Sequence, residues 1–145
     1  MTAPATLLWF RLDLRLADNP ALGSACVRGG PVIPVFVWSP EEEGAAAPAS
    51  ASRWWLHQSL AELDGSLRAR GSRLTIARGP AAPALAALAR EVNANAVVFA
   101  RRHEPDVSAR DAGLVANLRQ LVPALPENPR PREVFLALRE LRNSW

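Results

Sequence analysis

Short apolar runs alternate with stretches of helical periodicity along the first 121 residues of the chain. The apolar runs predict four strands, at Leu7–Phe10, Val32–Trp38, Leu74–Ala77 and Ala96–Ala100. The periodic stretches predict helices from Pro20 to about Arg28, from about Ser52 to Arg70, from Pro80 to about Val92 and from Asp106 to about Leu121. Strands that alternate with helices in this way are typical of a parallel sheet covered by helices on both faces.

The helix predictions rest on capping residues and on leucine spacing. Asp18 or Asn19 can cap the first helix, and Pro20 suits its first turn because the missing N–H has no partner there. In the longest helix the leucines recur at spacings of four, three and four residues, which places them on one face. These leucines are Leu56, Leu60, Leu63 and Leu67.

The alternating pattern stops at about residue 122. Residues 122–132 read VPALPENPRPR, and an interior strand does not accommodate so many prolines. The following segment predicts a short amphipathic helix with Val134, Leu138 and Leu141 on one face. We therefore predict an α/β domain over residues 1–121 and a Pro-rich tail with a short helix over 122–145. The predicted domain is a doubly wound, Rossmann-like parallel sheet of strand order 3-2-1-4 in three α/β/α layers. The fifth strand is predicted to be missing, which leaves one edge of the sheet unpaired unless the tail helix covers it.

Charged residues follow the first and fourth strands directly. Arg11 and Asp13 come after the first strand, and Arg101, Arg102 and His103 after the fourth. In the order 3-2-1-4 these two strand ends are neighbours at the switch point, where open α/β sheets bind ligands. The same charges could instead pair with each other and with helix ends, which holds loops in place and requires no ligand.

Composition adds little to this picture. All seventeen basic residues are arginine, and the net charge of +3 comes from arginines spread over several helices rather than from one basic stripe. Direct DNA binding by this chain is therefore not expected. No apolar run approaches the length of a membrane span, and the N-terminus has no signal-peptide pattern, so we expect a cytoplasmic protein without membrane contact. We also expect no metal site.

Four segments, taken in order, resemble successive signatures of the photolyase/cryptochrome family. They read WFRLDLRLADNPAL, PVFVWSPEEEG, SRWWLHQSLAELDGSLRARGSRLTIARG and RRHEPDVSARDAGL. The resemblance covers about residues 6–121 and points to the family's N-terminal α/β domain, which binds a light-harvesting antenna chromophore. That chromophore is a methenyltetrahydrofolate or a deazaflavin, and the stretch EEEG with RWWLHQSL resembles the plant-cryptochrome-like and related bacterial branches, which favours the folate.

The resemblance implies a set of chromophore-binding residues. The amino group and ring N–H of a pterin are adjacent donors, and one carboxylate can accept both hydrogen bonds. Glu41, Glu42 or Glu43 could supply that carboxylate. The tryptophans Trp38, Trp54 and Trp55 offer flat faces for stacking. The predicted cofactor-binding set is Arg11, Trp38, Glu41, Glu43, Trp54, Arg101 and His103.

No residue of this chain is expected to be catalytic. In the family, repair of cyclobutane pyrimidine dimers in DNA under blue light needs FAD, which is held in a larger helical domain. We therefore expect a truncated family member that binds an antenna at most, with FAD only in the full-length family. The alternatives are a stand-alone nucleotide-binding regulatory domain, and an interaction module that completes a separately encoded FAD-binding helical domain.

Overall fold

The computed structural model describes residues 4–44, 49–102, 104–121 and 133–137. Its strands are β1 (Ala5–Phe10), β2 (Val32–Trp38), β3 (Thr75–Arg78), β4 (Ala94–Ala100) and β5 (Glu133–Ala137). Its helices are α1 (Pro20–Val27), α2 (Pro40–Glu43), α3 (Ser50–Arg68), α4 (Ala81–Glu91) and α5 (Pro105–Leu121). Within the described ranges, no helix has the length and apolarity that crossing a membrane requires.

The strands form one sheet in the order β3-β2-β1-β4-β5. The first four are parallel, with Trp9 of β1 opposite Val35 of β2 and Phe99 of β4. The predicted parallel order 3-2-1-4 is therefore confirmed. It brings the carboxyl ends of β1 and β4 together, so the segments after Phe10 and Ala100 lie side by side, as expected from the sequence.

Alternate residues of the central strands pack on opposite faces of the sheet. Leu7 and Trp9 pack with α4 and α5, and Leu8 and Phe10 pack with α1 and α3. Because both faces are covered, the central strands carry continuous apolar runs rather than an alternating pattern. The predicted three-layer arrangement is confirmed.

The loop between β1 and α1 is held by one asparagine. Asn19 Oδ1 accepts a hydrogen bond from Leu22 N at 3.1 Å and so caps α1, with Pro20 as the first helical residue. Asn19 Nδ2 donates to the carbonyl oxygens of Asp13 at 3.3 Å and Arg15 at 2.9 Å. One side chain therefore starts the helix and also fixes the path of the chain above the end of β1.

The expectation that the fifth strand is missing is wrong. β5 pairs antiparallel with β4, with Phe135 opposite Val98. The helix predicted over Val134–Leu141 is wrong where the structure describes it, because Glu133–Ala137 form this strand; residues 138–141 lie outside the described residues. An uncovered β4 would expose a row of unpaired N–H and C=O groups, and a Val-Phe-Leu run is well suited to pair with them. The boundary between domain and tail at residues 121 and 122 stays a prediction.

The segment after β2, which lies between the predicted strand Val32–Trp38 and the helix predicted from about Ser52, contains a short helix that the sequence pattern did not predict. Pro40–Glu43 form the short helix α2, preceded by Ser39. Proline at the first position and three glutamates in the first turn favour a helix start, since the carboxylates offset the positive end of the helix dipole. α2 positions the three glutamates above the carboxyl end of β2.

Candidate functional site

A cleft of about 350 Å³ opens above the carboxyl ends of β1 and β2. We call it the Trp55 cleft. Its walls come from the loop after β1, from the end of β2 with α2, from the first half of α3, and from α5. Residues that line it include Leu12, Trp38, Ser39, Glu43, Ser52, Trp55, Ser59, Arg102 and Arg110. A volume of this size falls in the range of about 300–1,000 Å³ that small-molecule sites occupy.

The three candidate stacking tryptophans take different positions. Trp38, at the end of β2, lines the cleft and is half-buried. Trp55 lines it from α3 and remains 65% exposed. Trp54 is not among the lining residues and packs edge-to-face on Trp55, with the ring centroids 4.8 Å apart. Of these two neighbouring tryptophans, Trp55 rather than Trp54 therefore lines the cleft.

Two arginines hold Glu43 at the cleft wall. Glu43 Oε1 lies 3.2 Å from Arg110 Nη2 and 3.6 Å from Arg102 Nη1. Arg110 Nη1 also donates to the carbonyl oxygen of Glu42 at 2.7 Å. These contacts join α2 to α5 and to the end of β4. They place one carboxylate and two guanidinium groups beside the apolar walls of the Trp55 cleft.

The other two glutamates of α2 serve different purposes. Glu42 Oε2 accepts a hydrogen bond from Ala81 N at 3.0 Å, so it satisfies one of the free N–H groups at the start of α4. Glu41 makes an exposed ion pair with Arg78 at 3.5 Å. Of the predicted glutamates, Glu43 lines the cleft and Glu41 does not.

Arg11 lies in the protein interior. Its side chain is 6% exposed, and its two terminal nitrogens donate to the carboxylate of Asp111 at 2.7 and 2.8 Å. The guanidinium also lies over the rings of Trp9, at 4.6 Å from the centroid, and Phe99, at 5.6 Å. These contacts tie the end of β1 to α5 beneath the cleft, so Arg11 touches the cleft while its charge is already paired.

A second, more open cleft of about 380 Å³ lies between the ends of β1 and β4. We call it the arginine cleft. It is lined by Arg11, Leu12, Asp13, Arg15, Ala100, Arg101, Arg102 and Glu104. Arg101 lines this cleft and not the Trp55 cleft, whereas His103 lies outside the described residues. Arg15 Nη2 donates to the carbonyl oxygen of Asp18 at 3.1 Å, so this arginine contacts the main chain of the loop before α1.

Glu104 lies at the edge of the arginine cleft, where two donors contact its carboxylate. Its own backbone N–H and then Arg102 Nη2, at 3.1 Å, donate to its carboxylate and lower its pKa below the ordinary value. Arg102 therefore contacts Glu43 on one side and Glu104 on the other, and it lines both clefts.

Sequence reasoning missed several residues of this region. Asp111 lies 100 residues from its partner Arg11, and Arg110 lies 67 residues from its partner Glu43, so no local pattern indicated these contacts. Trp55 was considered among the stacking residues but was left out of the predicted set in favour of Trp54.

In the described parts of the chain, no group of three or more His, Cys, Asp or Glu side chains is arranged to hold a metal ion. That the predicted residues contact a cofactor stays a prediction.

Comparison with known proteins identifies the fold and its relatives. The family model for DNA photolyase matches residues 6–126. The chain is 47% identical over 118 residues to a deoxyribodipyrimidine photo-lyase of Agrobacterium fabrum, covering 81% of this chain and 24% of the relative. It is also 47% identical over 111 residues to Cryptochrome-1 of Sinapis alba, covering 76% and 22%.

Solved structures agree with these matches. A bacterial class III photolyase from Agrobacterium tumefaciens matches with a TM-score of 0.74 at 45% identity, over 83% of this chain and 24% of that one. An archaeal photolyase from Sulfolobus tokodaii matches with a TM-score of 0.62 at 27% identity, over 81% and 26%. The chain spans about a quarter of the length of these relatives. It belongs to the DNA photolyase family, whose members include photolyases and cryptochromes, and it corresponds to their N-terminal α/β domain.

Proposed function

We propose that this chain is an antenna domain, which binds a light-harvesting chromophore in the Trp55 cleft. The observation that supports the proposal is the cleft itself, which is lined by tryptophan side chains and a carboxylate above the carboxyl ends of β1 and β2. Sites for flat, polar ring systems combine apolar walls with a few placed polar groups, and this cleft has both.

The polar groups at the cleft fit a ring with N–H and C=O groups on its edge. Both arginine contacts of Glu43 are made by Oε1. Glu43 Oε2 would accept the adjacent donors of a pterin. Ser39 Oγ and Arg102 Nε are buried without a hydrogen-bond partner among the described residues, and both belong to residues that line the cleft. Buried polar groups are normally paired, so a bound carbonyl is one way to satisfy them.

The chromophore's role would be absorption and transfer of light energy rather than chemistry on DNA. The archaeal photolyase matched above was solved with two FAD molecules, which implies a novel light-harvesting cofactor in that protein. For this chain we propose a methenyltetrahydrofolate, with a deazaflavin as the other candidate. The excitation would pass to FAD in a helical domain, where reduced flavin supplies the electron for repair of a pyrimidine dimer.

Titration with each chromophore tests the proposal. Methenyltetrahydrofolate and a deazaflavin are added separately to the protein, and absorbance and tryptophan fluorescence are followed. We expect one of them to show a shifted absorption band with a saturable binding curve. The absence of a spectral change with either chromophore at millimolar concentration would refute the antenna function.

A matched pair of variants tests whether the Trp55 cleft is the binding site. Trp55→Ala removes a ring that lines the cleft, whereas Trp54→Ala removes the neighbouring ring that does not. Loss of stacking is worth about 1 kcal/mol, or about fivefold in Kd. We expect that weakening for Trp55→Ala and a smaller one for Trp54→Ala; equal effects, or a larger effect of Trp54→Ala, would place the site elsewhere.

A further inference from the structure

The arginine cleft adjoins the Trp55 cleft, where we propose that the chromophore ring binds. Arg11, Leu12 and Arg102 line both. Leu12 is 70% exposed, so an apolar and largely solvent-accessible side chain lies where the two clefts meet. A ligand with a ring and a flexible tail could therefore occupy both.

The charges of the arginine cleft are only partly paired within the protein. Arg11 is neutralised by Asp111, and Arg102 contacts Glu43 and Glu104. In the parts of the chain that the structure describes, no carboxylate oxygen lies within 4.0 Å of a side-chain nitrogen of Arg15 or Arg101.

One carboxylate of the cleft partly offsets these two arginines. Asp13 Oδ1 accepts a hydrogen bond from Arg11 N at 2.9 Å, and Asp13 Oδ2 is buried. The rim therefore carries two exposed guanidinium groups against one carboxylate that is turned inward. A surplus this small suits a carboxylate group better than a highly charged polyphosphate, because two guanidinium groups would not balance the additional negative charges, which the carboxylates of Asp13 and Glu104 would repel.

We propose that the arginine cleft is a carboxylate subsite, in which Arg15 and Arg101 bind the acidic tail of the ligand whose ring occupies the Trp55 cleft. This inference rests on the proposed antenna function. The planar guanidinium fork matches a carboxylate, and a charge-assisted hydrogen bond of this kind is stronger than a neutral one. The glutamyl tail of a folate supplies such carboxylates, so the subsite would favour a folate over a chromophore with an uncharged tail.

The first experiment compares methenyltetrahydrofolate with its diamide, in which both glutamyl carboxylates are uncharged. In the unmodified 145-residue protein we expect the acid to bind about tenfold more tightly, the effect of one charge-assisted hydrogen bond. In Arg15→Gln/Arg101→Gln this difference should disappear. Equal binding of acid and diamide by the unmodified protein, or a preference that survives in the double variant, would overturn the subsite.

A control variant separates the local effect from the change in net charge. Arg70→Gln/Arg73→Gln removes the same two charges between α3 and β3, outside both clefts. It should keep the preference for the acid. If it loses the preference as fully as Arg15→Gln/Arg101→Gln does, the attraction is a general effect of charge and the proposed subsite is wrong.

A chromophore-free measurement keeps the inference separate from the antenna function. Sodium glutarate, a small dicarboxylate, is titrated while the NMR signals of the arginine side chains are recorded. Saturable shifts of Arg15 and Arg101 would support the subsite even if no chromophore binds, and would make a free carboxylate its ligand. If methenyltetrahydrofolate binds while glutarate produces no shift and the acid has no advantage over the diamide, the antenna function stands and the subsite fails.

Discussion

Asp111→Ala is the substitution expected to destabilise this fold most clearly, because it leaves the buried guanidinium of Arg11 without its carboxylate. Two hydrogen bonds, of 2.7 and 2.8 Å, are lost from a side chain that is 6% exposed. Removing one partner of a buried ion pair costs about 3–5 kcal/mol. The faces of Trp9 and Phe99 remain under the charge and retain part of its stabilisation, which favours the lower half of that range.

The loss can be measured by urea unfolding at neutral pH, followed by tryptophan fluorescence. In a thermal unfolding experiment, a loss of about 3–5 kcal/mol would lower the Tm of a chain of this length by about 10–15 °C. Asp111→Asn keeps an acceptor of the same shape and should lose less. If Asp111→Ala is within about 1 kcal/mol of the unmodified protein, the pair behaves like an exposed one and the reasoning is refuted.

A double variant checks that the unpaired charge is the cause. Arg11→Met/Asp111→Ala removes the charge together with its partner, so it should be more stable than Asp111→Ala alone. If the two substitutions instead add up to a larger loss, packing around α5 rather than charge burial explains the result.

Two further predictions concern stability elsewhere in the domain. The pKa of Asp64 is held below the ordinary value of 3.8, first by the hydrogen bond from Leu74 N. A carboxyl group with a lowered pKa in the folded state stabilises that state at pH values above its pKa in the unfolded chain. The unmodified protein should therefore have a larger free energy of unfolding than Asp64→Asn at pH 7, and the difference should vanish as the pH falls below about 4. Urea unfolding across pH measures this difference, and a difference that grows on acidification would contradict the prediction. Gly79→Ala should cost about 1–3 kcal/mol, because a Cβ at Gly79 would overlap the side chain of Ser39. The control Gly113→Ala, in α5, meets no atom within 4 Å and should be neutral or stabilising, and thermal unfolding of the two variants should separate them.

The order of the elements could be predicted from the sequence because it depends on local signals. Apolar runs, helical leucine spacing and the Asn19-Pro20 helix start are all readable within a few residues. The parallel order followed from the alternation of strands and helices, which allows few connections. The strand Val32–Trp38 agrees with its prediction at both ends.

Other features depended on contacts between distant segments. Glu133–Ala137 carries a pattern that also suits a short helix, and only the open edge of β4 decided that it pairs as a strand. The same holds at the site, where Arg11 could bind a ligand or a carboxylate. Its partner Asp111 lies 100 residues away, and burial of both groups made the protein's own carboxylate the partner.

The sequence by itself therefore determined the α/β class, the strand order of the parallel sheet and the end of the sheet at which charges gather. Only the tertiary structure decided which charges are paired internally and which face a cleft. The physical reason is that periodicity and capping act over a few residues, whereas the pairing of a buried charge depends on which helix the fold brings above it.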